Sequence, residues 1–212
     1  MIEISIMSWY YAYLSHWGYT LVNLFVYISL TLIICAAGGY ATTVDPTDEN
    51  IWFQRIAKKK GMELEEVDDY EYYCDVCQSY VGDRSKHCGD CNRCVYTFDH
   101  HCKWMNNCVG DWNYWAFIVL ISSVCIWSIW FILHLFIFFI LSFDKVRGQF
   151  LPDGVRPYKG PMWYIFHIGF AVQFLINCAI IFFTLQLIKL HVLLKVKYEM
   201  TAYEYLCFKS DV

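Results

Sequence analysis

Residues 74–108 read CDVCQSYVGDRSKHCGDCNRCVYTFDHHCKWMNNC and are dense in cysteine and histidine. The side chains of metal-ligand type in this stretch are Cys74, Cys77, His87, Cys88, Cys91, Cys94, His100, His101, Cys102 and Cys108. Structural zinc takes four Cys or His ligands in a tetrahedron, and a Cys-x-x-Cys turn supplies two of them without strain. The stretch therefore predicts a small domain that is held together by zinc.

Two closed zinc sites would use eight of these ten groups and would leave one cysteine and one histidine over. A free thiol beside a free imidazole can serve as a nucleophile with its base. Counting does not identify the pair, but the run from Asp99 through His100 and His101 to Cys102 is the best candidate. A carboxylate that orients a histidine, which in turn deprotonates a cysteine, is the general arrangement of a catalytic triad.

Long apolar runs outside this stretch predict a membrane protein. Hydrophobic residues make up 58% of the sequence and charged residues 17%, and about 20 apolar residues suffice to cross the hydrocarbon core. Transmembrane helices are predicted at 19–38, 114–143 and 162–188. The segments between and around them are predicted to be an interfacial or remnant segment at 1–18, a linker at 39–73, the zinc domain at 74–113, a loop at 144–161 and a tail at 189–212.

The distribution of Lys and Arg predicts which side of the membrane each segment faces. The segment between the first two spans carries eight basic residues, the tail four, the loop at 144–161 four and the N-terminal segment none. The zinc domain and the tail are therefore predicted to be cytosolic, which agrees with reduced cysteines. We expect a multi-pass protein of an internal membrane (Golgi or endoplasmic reticulum) or the plasma membrane. The net charge of −4 shows no basic stripe that would indicate a nucleic-acid partner.

Four polar side chains fall inside the predicted spans, at His134, His167, Gln173 and Asn177. Such groups are costly in hydrocarbon unless they face other helices. They predict either interhelical hydrogen bonds or the lining of a cavity for a lipid tail, and spacing alone does not separate these two interpretations.

The extended motif Cys-x2-Cys-x9-His-Cys-x2-Cys-x2-Cys-x4-Asp-His-His-Cys-x5-Cys resembles the DHHC family of protein S-acyltransferases, or palmitoyltransferases. The likeness continues toward the next span at Trp104, Asn106, Asn107, Asn113 and Phe117. The family usually has four spans, so the resemblance implies that residues 1–18 are the end or flank of a first helix. The expected fold is an α-helical integral membrane protein with at least three transmembrane helices and a cytosolic cysteine-rich zinc domain between them.

The resemblance also implies a division of the ligands between two structural zinc ions. One ion would be bound by Cys74, Cys77, His87 and Cys94. The other would be bound by Cys88, Cys91, His101 and Cys108. His100 and Cys102 are then the two groups left over.

By the same resemblance, the activity is a two-step transfer of a palmitoyl-type acyl group. Cys102 would take the chain from acyl-CoA and pass it to a cysteine of a membrane-associated substrate protein. His100 would act as the base, Asp99 would orient it, and Trp104 would lie near the acyl thioester. The sequence leaves open whether an accessory subunit is required.

A further family motif, Thr-Thr-x-Glu, appears here as residues 201–204 with Ala202 in place of the second threonine. Thr201 and Glu204 have the spacing of a helix capping box as well. The substitution removes a hydroxyl that the family would place near the active site. Lys103, likewise, stands where a proline is common.

Two other functions compete with the enzyme interpretation. The first is a catalytically inactive, zinc-stapled membrane adaptor or accessory subunit. The second is a membrane-anchored RING-type ubiquitin ligase, whose ligand order differs and which would leave no reason for Asp99 and His100 beside a free Cys102. Turnover of acyl-CoA separates the enzyme from both.

Overall fold

The computed structural model describes residues 17–62, 72–141 and 161–210. Residues 1–16 of the predicted N-terminal segment and 144–160 of the predicted loop lie outside the described residues. The described chain forms two compact units. One contains residues 17–34, 121–141 and 161–187, and the other contains residues 35–62, 72–120 and 188–210.

Helices account for most of the described residues. In chain order they are α1 Trp17–Thr43, α2 Glu49–Lys60, α3 Tyr114–Leu141, α4 Pro161–Leu193 with a π-helical turn at Leu194–Tyr198, and α5 Ala202–Ser210. Among the described residues, three apolar stretches are long enough to cross a membrane: Leu21–Thr43, Tyr114–Ile137 and His167–Tyr198. The predicted fold class is confirmed, since a Cys- and His-rich region lies between membrane-length helices in a mostly helical chain.

In the unit that contains most of the membrane-length helices, a polar pair joins α1 to α3. His134 on α3 and Asn23 on α1 share a hydrogen bond of 2.6 Å, and the other ring nitrogen of His134 donates to the carbonyl of Trp130 over 2.7 Å. Beside them, the rings of Tyr27 and Trp127 meet edge to face at 6.0 Å. For His134, the polar side chain therefore makes an interhelical hydrogen bond, which avoids the cost of an unpaired polar group in hydrocarbon.

The second unit is built on three antiparallel hairpins, each with two strands of three residues. The first hairpin pairs β1 Tyr72–Cys74 with β2 Ser79–Val81, the second pairs β3 Lys86–Cys88 with β4 Arg93–Val95, and the third pairs β5 His100–Cys102 with β6 Asn107–Val109. Strands this short bury little apolar surface and are not stable alone. The hairpins therefore depend on neighbouring helices and on cross-links between them.

Helix α2 supports the first hairpin and lies within the predicted linker at 39–73. Asp48 caps this helix by accepting from the backbone of Asn50 at 2.8 Å, and its other oxygen accepts from Ser85 and from the backbone of Gly82. Gln54 pairs with the backbone of Tyr80 in both directions, at 2.7 and 2.9 Å. One buried carboxylate and one buried amide thus attach α2 to the edge of the hairpin.

The third hairpin is attached to the C-terminal end of α1. The amide of Asn107 donates to the carbonyl oxygens of Ala41 and Val44 at 3.1 and 2.9 Å, and Asn113 donates to Ala41 at 3.1 Å. The last carbonyls of a helix have no partner within it, so these side chains satisfy groups that would otherwise need water. Gly110, which directly follows this hairpin, lies very close to the second hairpin. A Cβ atom at Gly110 would be only 2.5 Å from the side chain of Val95.

Candidate active site

Two clusters of Cys and His side chains link successive hairpins. In each cluster the ligand atoms lie within 4.8 Å of one another; the clusters are Cys74, Cys77, His87 and Cys94, and Cys88, Cys91, His101 and Cys108. Nδ1 of the histidine lies 3.4 Å from Sγ of Cys77 in the first cluster and 3.3 Å from Sγ of Cys91 in the second. Three sulfurs and one imidazole nitrogen form a closed zinc donor set. Both clusters could therefore hold a structural metal ion.

The two faces of strand β5 carry different groups, a metal-ligand histidine on one and the remaining cysteine and histidine on the other. Successive side chains of a strand point to opposite faces, so His101 faces the second cluster while His100 and Cys102 share the other face. Cys102 is buried, with 9% of its surface exposed. The structure thus brings together the cysteine and histidine that the two clusters leave over.

Asp99 completes this group and is itself held on both oxygens. Oδ2 lies 2.7 Å from Nδ1 of His100, and Oδ1 accepts from the backbone N–H of Ala202 at 2.9 Å. Only 2% of Asp99 is exposed. Burial by itself would raise the pKa of Asp99, but the hydrogen bonds from His100 and Ala202 outweigh burial and lower it. Asp99 is therefore an anchored carboxylate that fixes the orientation of His100.

The charges of His100 and Cys102 support each other. Burial would lower the pKa of His100, but the hydrogen bonds with Asp99 and with Cys102 raise it to about 9. Burial would raise the pKa of Cys102, but His100 and the backbone N–H groups of Met105 and Trp104 lower it. Both shifts favour a protonated imidazole next to a thiolate, and the thiolate is the nucleophilic form of cysteine.

His191 on α4 joins this group and was not anticipated from the sequence. It is 3% exposed, its Nδ1 lies 4.0 Å from Oδ2 of Asp99 and 3.3 Å from the hydroxyl of Tyr114, and its ring packs on Phe117 at 5.2 Å. Phe117 also contacts the ring of His100 at 5.3 Å. No local motif marks His191, because only the fold brings it next to residues far away in sequence.

The start of α5 contacts Asp99 through Ala202 and is itself held in place by side chains. Thr201 and Glu204 form a capping box, in which the backbone of Thr201 donates to Glu204 at 2.7 Å and the backbone of Glu204 donates to Oγ1 of Thr201 at 3.2 Å. The same carboxylate accepts two hydrogen bonds from Arg84, at 2.7 and 2.8 Å. Arg84 was also missed from the sequence. Its ion pair attaches α5 to the loop between the first two hairpins.

Trp104 lies in the turn between β5 and β6, where its side chain is 99% exposed. It does not contribute a side-chain contact to the group around Asp99. Its assignment to the acyl thioester therefore stays a prediction.

Comparison with known proteins bears on the whole of this region. A family model described as DHHC palmitoyltransferase matches residues 67–209, which include all three hairpins, α3, α4 and all but the last residue of α5. No curated protein matches the chain.

Proposed function

Since this chain belongs to the DHHC palmitoyltransferase family, we propose that it is an active protein S-acyltransferase. It moves a long-chain acyl group from acyl-CoA to a cysteine of a membrane-associated protein. The observation that carries the proposal is the 2.7 Å hydrogen bond between buried Asp99 and His100, with Cys102 on the same face of β5. A structural zinc domain alone would not need this arrangement.

The first step loads the enzyme. The thiolate of Cys102 attacks the carbonyl carbon of the acyl-CoA thioester, and the bond between that carbon and the sulfur of CoA breaks. CoA leaves as a thiol after it takes a proton from His100. Asp99 holds the imidazole in place throughout, so that the proton on its other nitrogen lies at the reacting sulfurs.

The second step transfers the acyl group from Cys102 to the cysteine of the substrate protein. His100, now neutral, takes the proton of the incoming cysteine, whose sulfur attacks the acyl carbon on Cys102. Cys102 leaves as a thiolate, and the protonated His100 again stabilises it. One thioester replaces another in each step, so no external source of energy is needed.

The proposed metal ligands do not react themselves but hold the strand that carries the reacting residues. The residues proposed to hold two zinc ions are Cys74, Cys77, His87 and Cys94 for one and Cys88, Cys91, His101 and Cys108 for the other. When bound, zinc supplies a closed structural cross-link between successive hairpins. That cross-link keeps β5 in place, and β5 carries His100 and Cys102.

The site is at the level where the membrane begins. His100 packs on Phe117, in the first turn of α3, and the apolar stretch of that helix starts at Tyr114. Each buried CH₂ of an acyl chain contributes about 0.8 kcal/mol, so the chain gains most when its tail lies in the apolar layer. The distribution of Lys and Arg supports a cytosolic position for the reacting head. Substrates are therefore proteins with a cytosolic cysteine close to the membrane.

The test is formation of the acyl-enzyme. Purified protein in detergent or bilayer is incubated with alkyne-labelled palmitoyl-CoA, and hydroxylamine-sensitive label on the chain is measured. Label should be lost in Cys102→Ser and should form at least about 100-fold more slowly in His100→Ala, since a positioned base contributes about that much. Cys207→Ser, which changes an exposed thiol on α5, is the matched control and should label like wild type.

Either of two results would refute the proposal. If folded, zinc-loaded wild type takes no label, the chain is an inactive adaptor of the same family. If Cys102→Ser labels as fast as wild type, another residue is the nucleophile.

A further inference from the structure

The three hairpins are copies of one unit that repeats every 14 residues. Their first strands begin at residues 72, 86 and 100, and their second strands begin at 79, 93 and 107. The strand registers agree as well, because Cys74 pairs with Ser79, Cys88 with Arg93, and Cys102 with Asn107. Cys102 therefore occupies the position that Cys74 and Cys88 occupy in the first two hairpins.

The turns of the three hairpins also share one backbone conformation. The last residue of each turn is left-handed, with φ of 50°, 50° and 49° at Gln78, Asn92 and Asn106. A non-glycine residue seldom adopts this conformation, so three occurrences at the same position indicate the same turn. A buried valine follows at the same distance each time, at residues 81, 95 and 109. The third hairpin thus has the backbone of a metal-binding turn.

The side chains of the third hairpin differ at the ligand positions. In the first two hairpins a second cysteine, Cys77 or Cys91, follows the first by three residues and joins the same cluster. The residue at this position in the third hairpin is Met105, which is 7% exposed. Cys102 therefore stands in a ligand position without the second thiolate.

The other two ligands of a third site are also missing from the repeat. Each cluster takes its histidine and its last cysteine from the following hairpin, as His101 and Cys108 do for the second cluster. The positions 14 residues further along are Trp115 and Ser122, both of which lie on α3. The third hairpin completes the cluster before it but receives no ligands from the segment after it.

We propose that Met105 keeps the nucleophile free of metal. Zinc binds thiolate, imidazole and carboxylate in proteins, whereas a thioether suits softer ions, so methionine fills the buried ligand position without attracting zinc. A cysteine there would recreate the Cys-x-x-Cys turn, and His100 beside Cys102 would supply a third donor. The role of Cys102 as nucleophile rests on the proposed function, whereas its position in a metal-binding turn does not.

The test compares three variants of the full chain, purified with zinc under a phosphine reductant. Met105→Cys restores the second thiol. Met105→Ser introduces a side chain of nearly the size of cysteine but without a thiol, and Met105→Leu keeps the volume of methionine. Zinc per chain is measured by elemental analysis, and alkylation of Cys102 is measured by mass spectrometry. Replacement of zinc by cobalt reports the number of bound thiolates from its absorbance.

Zinc per chain should rise from two to three in Met105→Cys, and alkylation of Cys102 should slow at least about 10-fold until a chelator is added. Met105→Ser and Met105→Leu should retain two zinc ions, and the chelator should not change the alkylation of their Cys102. A Met105→Cys protein with two zinc ions and alkylation equal to Met105→Ser overturns the proposal. If only Met105→Cys fails to fold, Met105→His, which also supplies a ligand, decides by the same counts.

The two proposals fail in different ways. Loss of the acyl-enzyme in wild type would refute the enzymatic function and would leave the zinc counts of the variants unchanged. Equal zinc counts in all variants would refute the role of Met105 and would leave acyl labelling of wild type unchanged.

Discussion

The backbone N–H of Ala202 donates a 2.9 Å hydrogen bond to Oδ1 of Asp99, across 103 residues of sequence. The other carboxylate oxygen of Asp99 is bonded to His100. Ala202 lacks the hydroxyl of the family's second threonine, but its backbone N–H still contacts the site. Ala202 is the first residue of α5, so the position of Asp99 depends on where this helix begins.

Ala202→Pro should slow formation of the acyl-enzyme about 10-fold. Proline removes the N–H donor, and it is tolerated in the first turn of a helix, so the helix itself should persist. A hydrogen bond to a charged group contributes about 1.5–3 kcal/mol, part of which is expected in the rate. Ala202→Ser keeps the N–H and should react like wild type in the labelling assay. Equal rates for the proline and serine variants would show that the bond does not matter for catalysis.

Asp99→Asn should make Cys102 less reactive at neutral pH. The carboxylate is one of the two groups that raise the pKa of His100, so its removal should lower that pKa and allow the pKa of Cys102 to rise toward its ordinary 9.0. Iodoacetamide reacts with the thiolate, so the alkylation profile should shift to higher pH and the rate at pH 7 should fall.

Asp83→Asn, which changes an exposed carboxylate of the same domain, is the control and should leave the profile in place. A profile that does not move in Asp99→Asn would exclude this electrostatic role for the carboxylate.

The ion pair between Arg84 and Glu204 should stabilise the packing of α5 on the hairpins at neutral pH but not in acid. Arg84 is the main cause of the lowered pKa of Glu204, so the contribution is present above the ordinary pKa of 4.5 and is lost as the pH falls through the lowered folded value. Glu204→Gln should reduce the free energy of unfolding by at most about 1 kcal/mol at pH 7, because the pair is partly exposed. Unfolding monitored at pH 7 and below 4.5 should show the difference closing in acid.

A double variant, Arg84→Gln with Glu204→Gln, measures the coupling between the two groups. If the two single changes simply add at pH 7, the ion pair contributes nothing of its own.

His191→Phe should destabilise the chain by about 1–3 kcal/mol, because the buried hydroxyl of Tyr114 would lose its partner. Phenylalanine keeps the aromatic packing on Phe117, so the loss should come from the polar group. Tyr114→Phe together with His191→Phe removes both partners and should recover part of the stability. A double variant that is less stable than the two single changes predict would contradict a direct bond between the side chains.

Cys91→Ser should abolish acyl labelling although it leaves Cys102 intact. It removes one ligand of the second cluster, and hairpins with three-residue strands are not expected to hold their geometry without the metal. Zinc per chain should fall by about one, and limited proteolysis should cut the hairpins faster. Cys35→Ser, which changes an exposed thiol of α1, should alter none of these. Normal zinc content and normal labelling of Cys91→Ser would remove this residue from the ligand set.

The sequence contains the spacing of the three hairpins, but the ligands do not repeat in the third one. Cys74, Cys88 and Cys102 are spaced by 14 residues, yet the third copy carries Met105 where the others carry cysteine. A unit that lacks its second ligand has no Cys-x-x-Cys pair to mark it. The shared strand register and the left-handed turn residues show that the three hairpins are equivalent.

By itself, the sequence determined three apolar stretches of membrane length, the density of metal ligands and the family. Hydropathy over about 20 residues and the spacing of cysteines are local properties, and they can be read without knowing which residues meet. The tertiary structure alone decided that His191 lies beside Asp99, that Ala202 donates to the same carboxylate, and that Arg84 holds Glu204. These contacts join residues that are far apart in the chain, so no local pattern records them and only the packing of the helices against the hairpins creates them.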